Sequence, residues 1–416
     1  MTASAGDGVQ LLFEDTTRAI DLVYDSDFLD LIRKIVPHWP FQILEEQEQF
    51  VEPFASLEET RSRQIVSSTF SEHRKRFRSP IDTICELVAQ LAWATIEANP
   101  EWLCVHCAAC EINGGLVLFP AIRKSGKSTM TAVLGSQGIP IFTDDFLGIE
   151  IDATGNLLGI SGGVATRMRL PWPNNLSQET EAGLQDCMVA SNEIYSYHHN
   201  PGAMPIVRGR RSPIRAIVLL DREDDLGTAE LQEASFNDVL TTIVEQNFAR
   251  VKYADHILTA LHFLAAHVPR YRLKYASVED GANIVKHHFQ STECVAAPPL
   301  PENLVQHEPI TGSSPSAPSA AIDPDQPLKQ SGAVKYIEVE ENIYLAETTG
   351  YGVHKLDQIS GAIWRLLSEP ISIREIVSLL SEAFPETSEQ QISSDVRGLM
   401  DRFNNAGLIT NHDKSS

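Results

Sequence analysis

The sequence predicts a two-part protein: an α/β unit and, behind a proline-rich tether, a small winged-helix-like α+β domain. Three observations predict it. The run AIRKSGKS at 121–128 lies between a short apolar run and a helical stretch. Eight of the 23 prolines crowd into residues 298–327. After residue 356 the apolar residues fall into three successive helical stripes. A chain of 416 residues is also long enough for two or three folding units.

Residues 1–78 mix short apolar runs with charges and are assigned to an appended lobe ending in HRKRFR at 73–78, read as a solvated helix face or loop. Ser79 and Pro80 then form an N-cap and first-turn pair. Behind them Ile84, Leu87, Val88, Leu91 and Ala92 predict one amphipathic helix to about Ala98. The stretch LCVHCAACEI at 103–112 reads as one buried strand, with Cys107 on the face opposite Cys104 and Cys110. That alternation favours apolar packing of the thiols over a metal cluster around His106.

Leu116–Phe119 is apolar, and TMTAVLGSQ after the loop is helical. Strand, loop and helix with G-x-x-x-x-G-K-[ST] spacing is the phosphate-binding P-loop, whose backbone N–H groups wrap a phosphate chain. Its residues here are Ala121, Ile122, Arg123, Lys124, Ser125, Gly126, Lys127, Ser128 and Thr129. Lys127 takes the phosphate-bridging role and Ser128 the metal-binding role, while Ala121 stands where the motif has its first glycine. IPIFTDDF at 139–146 reads as the next strand, with Asp144 and Asp145 at its carboxyl end, where α/β sheets place their ligands.

These residues resemble the HPr kinase/phosphorylase family, akin in its sheet to phosphoenolpyruvate carboxykinase, and the family's kinase relatives in peptide biosynthesis. His106 precedes the loop at the family's distance, and Asp145 follows Lys127 by 18 residues. The resemblance implies an ATP- and Mg²⁺-dependent kinase in which Asp145 takes the acceptor's proton, Asp144 and Ser128 lie near the metal, and His106 belongs to the site. The family's metal-binding glutamate has no counterpart in GGVATRMRLPWP at 162–173, which offers Arg167 and Arg169 to neutralise phosphoryl charge. SPIRAIVLLDRED at 212–224 and PRYRLKYASVEDGANIV at 269–285 complete a unit assigned to residues 79–290.

Residues 291–333 hold no aromatic side chain and read as a flexible tether. Residues 334–412 follow as the second domain. VKYIEVEE, NIYLAE and Tyr351–Leu356 predict three strands. Asp357 caps a helix striped by Ile359, Ala362, Ile363, Leu366 and Leu367. Ser372 and Glu375 form a capping box before Ile376, Val377, Leu379 and Leu380, and Ser388 with Gln391 predicts a second box. The last helix is striped by Ile392, Val396, Leu399, Met400 and Phe403 and ends at Gly407.

The element order, with LDQISGAIWRLL and VRGLMDRFNNAGLI, resembles PqqD-like domains, which capture leader peptides of ribosomally made, modified peptides. The resemblance implies pairing of a leader with a sheet edge, with Tyr351, Val353, Lys355 and Arg397 as candidate contacts. Joined, the two resemblances imply a kinase acting on a Ser/Thr hydroxyl of a precursor peptide held by its leader. A non-catalytic, nucleotide-gated peptide carrier and a small-molecule kinase with a partner-recruiting domain are the alternatives.

Charge excludes other classes. The chain carries a formal net charge of −23, and residues 334–412 hold six Lys/Arg against twelve Asp/Glu, so nucleic acid (beyond a nucleotide) and anionic membranes are unfavourable partners. The N-terminal stretch has no signal-peptide pattern and six cysteines are too sparse for a disulfide scaffold, which predicts a cytoplasmic protein with reduced thiols. A homo-oligomer is compatible with all of this.

Overall fold

The computed structural model describes residues 8–412 except 24, 46–49, 61–62, 122–124, 201–205, 249–253, 296, 302–321 and 349–351. The chain divides into two compact units, Met1–Arg250 with Leu264–Pro301, and Val251–Phe263 with Glu302–Ser416. No helix among the described residues is long and apolar enough to cross a membrane.

The first unit opens with β1 (Gly8–Phe13), β2 (Ala19–Val23), α1 (Ser26–Ile35), β3 (Phe41–Glu45), β4 (Pro53–Thr60), β5 (Arg63–Ser68), β6 (Ser71–Phe77) and α2 (Pro80–Ala98). The strands form one six-stranded sheet in the order β3-β1-β2-β4-β5-β6. The basic run is therefore an edge strand and not a helix face or loop; charged side chains on such an edge resist pairing with another chain. α2 buries Ile81, Ile84, Leu87 and Leu91 in the same core as Leu11, Phe28 and Phe54. The helix assigned to the following domain thus packs on the N-terminal sheet. Ser79 occupies its N-cap without a side-chain capping bond, and its hydroxyl accepts a hydrogen bond from Asn192 at 3.2 Å instead.

The elements around the loop are β7 (Leu103–Val105), β8 (Cys107–Ile112), β9 (Gly115–Pro120), α3 (Lys127–Ser136), β10 (Ile141–Thr143), β11 (Leu147–Ile151), β12 (Leu157–Ile160), β13 (Thr166–Arg169), α4 (Gln178–Asp186), β14 (Met188–Ser191), β15 (Tyr195–His198) and β16 (Arg211–Arg222). They continue through β17 (Glu230–Glu233), α5 (Phe236–Glu245), α6 (Ala254–His267), β18 (Arg270–Tyr275) and α7 (Val278–Ser291), with α6 as far as Phe263 counted in the second unit. The main sheet runs β10-β8-β9-β16-β12-β11-β7, with β18 also on β16 and β17 on β18.

Only β9–β16 and β16–β18 pair in parallel in that sheet and the rest is antiparallel, so the sheet is mixed. Asp144 and Asp145 nevertheless follow β10 on the side where β9 enters the loop. β10 is antiparallel to β8 and β8 to β9, so β9 and β10 run the same way and end on the same side. The predicted single strand at 103–112 is two, because the chain changes partners at His106: β7 pairs with β11, whereas β8 pairs with β9 and β10.

The second unit contains β19 (Leu328–Gln330), β20 (Tyr336–Val339), β21 (Asn342–Ala346), β22 (Val353–Leu356), α8 (Gln358–Leu366), α9 (Ile373–Ala383), α10 (Glu389–Asn405) and β23 (Ile409–Asn411). β20, β21 and β22 form an antiparallel sheet, and β19 pairs with β23. The last residues assigned to the tether therefore belong to this unit, with Leu328 in its core. At the other end of that assignment, Leu300 is buried and its N–H donates to Gly155 O at 2.7 Å in the first unit. Most of the rest, residues 302–321, lies outside the described residues.

Trp364 takes the centre of the core, so the α8 stripe runs through Gly361, Ile363, Trp364 and Leu367, leaving Ile359 and Ala362 outward. Leu379 on α9 is exposed as well. Asp357 caps α8, and Ser372 with Glu375 makes both halves of its capping box. The second box is half made: Ser388 accepts from Gln391 N–H, but the Gln391 side chain turns to Asp395.

Candidate functional site

β9 is buried at every residue and delivers Ala121 to the mouth of the loop. Ile122, Arg123 and Lys124 lie outside the described residues. Gly126 enters α3 with φ of +94°, in the left-handed region where a side chain is strained. A Cβ there would also lie 2.7 Å from the Tyr275 hydroxyl. Tyr275 Oη donates to Ser125 O at 3.3 Å, and burial pushes its phenol up to about 12, which keeps it a donor. Lys127, the first residue of α3, is buried, and its ammonium donates to Ala121 O at 2.5 Å. The residue replacing the first glycine thus closes the loop through its carbonyl, which alanine supplies as well as glycine.

At the end of β10, Thr143 Oγ1 accepts from the N–H groups of Asp145 and Phe146 at 3.4 and 3.3 Å. That turn separates the two aspartates. Asp144 points inward, where its Oδ2 accepts the Arg167 N–H at 2.8 Å. Burial first, and the neighbouring Asp145 second, push its carboxyl up to about 6 against the pull of Arg167. Asp145 points outward: its Oδ1 lies 3.1 Å from His106 Nδ1 and its Oδ2 3.9 Å from the Arg167 guanidinium. His106 is fixed at the strand break by its own N–H, which donates to Gln246 O at 2.8 Å.

The Arg167 guanidinium stacks on Tyr195, 5.1 Å from the ring centre, and touches Cys85 Sγ on α2. Cys107 is buried nearby, and burial pushes its thiol up to about 12, so it is packing and not a nucleophile.

One cavity of about 830 Å³ brings these groups together, lined by His106, Ser125, Gly126, Lys127, Ser128, Thr129, Asp145, Arg167 and Arg169. Asp144 sits just behind this wall. Tyr275, Tyr195, Asn175 and Arg222 also line the cavity and were not anticipated from the sequence. No short motif marks them. Tyr275 stands 148 residues beyond Lys127, and only its place at the end of a strand before the Ser277-capped α7 could have drawn attention to it.

In the second unit, β22 is an outer strand of its sheet. Glu347 N–H donates to Gly352 O, which sets the alternation so that Val353 and Lys355 turn their own N–H and C=O groups to the edge that pairs with no strand among the described residues. Arg397 is exposed on α10, and Tyr351 lies outside the described residues.

Residues 343–409 match the family model described as Coenzyme PQQ synthesis protein D (PqqD). A solved structure, the Hpr(Ser) kinase/phosphatase from Coxiella burnetii, is similar at 12% identity and a TM-score of 0.24, covering 44% of this chain and 95% of that one. No curated protein matches the chain.

Proposed function

We propose that this protein is an ATP-dependent kinase that phosphorylates a serine or threonine hydroxyl of a precursor peptide captured through its leader by the C-terminal unit. The observation that carries the reading is the convergence, in one cavity, of a P-loop lysine with an aspartate that faces both a histidine and an arginine. The N–H groups of the loop and Lys127 hold the phosphate chain. Asp145 accepts the proton of the acceptor hydroxyl, whose oxygen forms a bond to the terminal phosphorus as the bond to the bridging oxygen breaks and ADP leaves. His106 orients Asp145 through Nδ1, and Arg167 meets the charge that develops on the transferred group.

Ser128 and Asp144 are the residues that would hold a magnesium ion. Ser128 supplies a hydroxyl on the cavity wall, and Asp144 is a buried carboxylate whose ionisation a cation would favour. Bound there, Mg²⁺ would supply charge neutralisation on the phosphates. The match to PqqD and the outer β22 edge support peptide capture by strand addition.

The test is incubation of the full chain with Mg-ATP and candidate precursors, followed by mass spectrometry for one added phosphate. Asp145→Asn keeps the size of the side chain but accepts no proton, and should lower turnover by about 10²–10⁴. Unchanged turnover would remove Asp145 from the reaction.

A further inference from the structure

Two arginines follow one another on β13, and the fold gives them different surroundings. Arg167 is tied to Cys85, Tyr195 and Asp145, whereas Arg169 is exposed on the cavity rim with no carboxylate in ion-pair range among the described residues. β13 is an outer strand, in the order β13-β15-β14. Leu170 N–H donates to Ile194 O at 2.7 Å, which fixes the antiparallel alternation. Residues 166, 168 and 170 therefore face β15, and Arg167 and Arg169 turn their backbone groups the other way. The first of these outward groups, Arg167 N–H, is taken by Asp144. The next, the N–H and C=O of Arg169, continue the same edge along the cavity.

We propose that the acceptor segment of the substrate docks as an extended strand on this edge of β13, and that Arg169 selects a carboxylate two residues from the acceptor. This rests on the peptide-kinase reading and names the substrate class for the same site. The spacing supports it. Arg167 and Arg169 share a face and stand two residues apart, about 7 Å along the strand. An extended peptide with its hydroxyl at Asp145, beside Arg167, brings a side chain two residues away to the level of Arg169, on the same face. Charge supports it too: in a chain of net charge −23, the cavity wall carries Lys127, Arg167, Arg169 and Arg222, with Asp145 its only carboxylate among the described residues. A basic or uncharged flank leaves Arg169 without a partner, whereas an acidic one pairs with it.

The experiment uses the full chain, Mg-ATP and short synthetic peptides with a central serine. Glutamate, alanine or lysine is placed two residues to either side, and one version is N-methylated beside the acceptor. Wild-type protein should prefer glutamate to lysine by about tenfold in kcat/KM, mostly through KM, and N-methylation should raise KM further. Arg169→Glu should invert that ranking, and Arg169→Ala should flatten it. A melting curve matching wild type shows that neither exposed substitution disturbs the fold. Equal use of all three flanks, or a ranking unchanged in Arg169→Glu, overturns strand docking on β13 even where a full precursor is phosphorylated. Absence of transfer to any peptide or precursor overturns the kinase reading, and this inference with it.

Discussion

Asp144 and Asp145 are neighbours in the chain and opposites in environment. One is buried against the Arg167 N–H, the other is open to the cavity beside His106. The buried one gives a pH prediction. Its carboxyl titrates near 6 in the folded protein against a usual value of 3.8, so the folded state holds the proton more tightly than the unfolded one. The contribution to stability is full below about pH 4 and is lost as pH rises through about 6. Nucleotide-free, metal-free Asp144→Asn should therefore be more stable than wild type at pH 8, by up to about 3 kcal/mol and with a higher melting temperature, and lose that advantage at pH 4. Equal melting temperatures at both pH values would place Asp144 in contact with water.

Residues with motif spacing were legible: Lys127, Ser128, Asp145 and His106 reach one cavity because strand and loop lengths are fixed by the sheet. Cys85 and Tyr275 were not, since a cysteine on an apolar helix stripe and a tyrosine ending a strand look like packing until the fold brings them against Arg167 and Ser125.

Among the elements, those defined by local chemistry were the readable ones. α2 runs from Pro80 to Ala98, and the α10 stripe from Ile392 to Phe403 is buried throughout. Proline composition misplaced the start of the C-terminal unit, because Leu328–Gln330 is tied down by partners far along the chain, Ile409–Asn411 and Ile371, and not by its own sequence. Leu328→Ala removes a fully buried side chain at that junction and should destabilise the unit by about 2–5 kcal/mol. Hydrogen exchange of α10 amides in the full chain measures it. A change within about 0.5 kcal/mol would show that β19 adds nothing to the core. Likewise the HRKRFR run gave no strand signal, having no apolar alternation; β6 exists because β5 offers it an edge.

At the scale of the whole molecule, the cavity that gathers Lys127, Asp145 and His106 lies in one unit, and residues 343–409, which match PqqD, lie in the other. If capture and chemistry are separate, the leader contributes equally to ground and transition states, and the chain joining the units supplies effective concentration. Free leader added in excess should then inhibit phosphorylation of the precursor competitively, leaving ATP binding untouched. The most direct test compares full-length and leaderless precursor on the same full-length protein with saturating Mg-ATP. The leaderless peptide should show a KM raised by about 10²-fold with kcat unchanged. Identical KM values for the two peptides would contradict capture by the C-terminal unit.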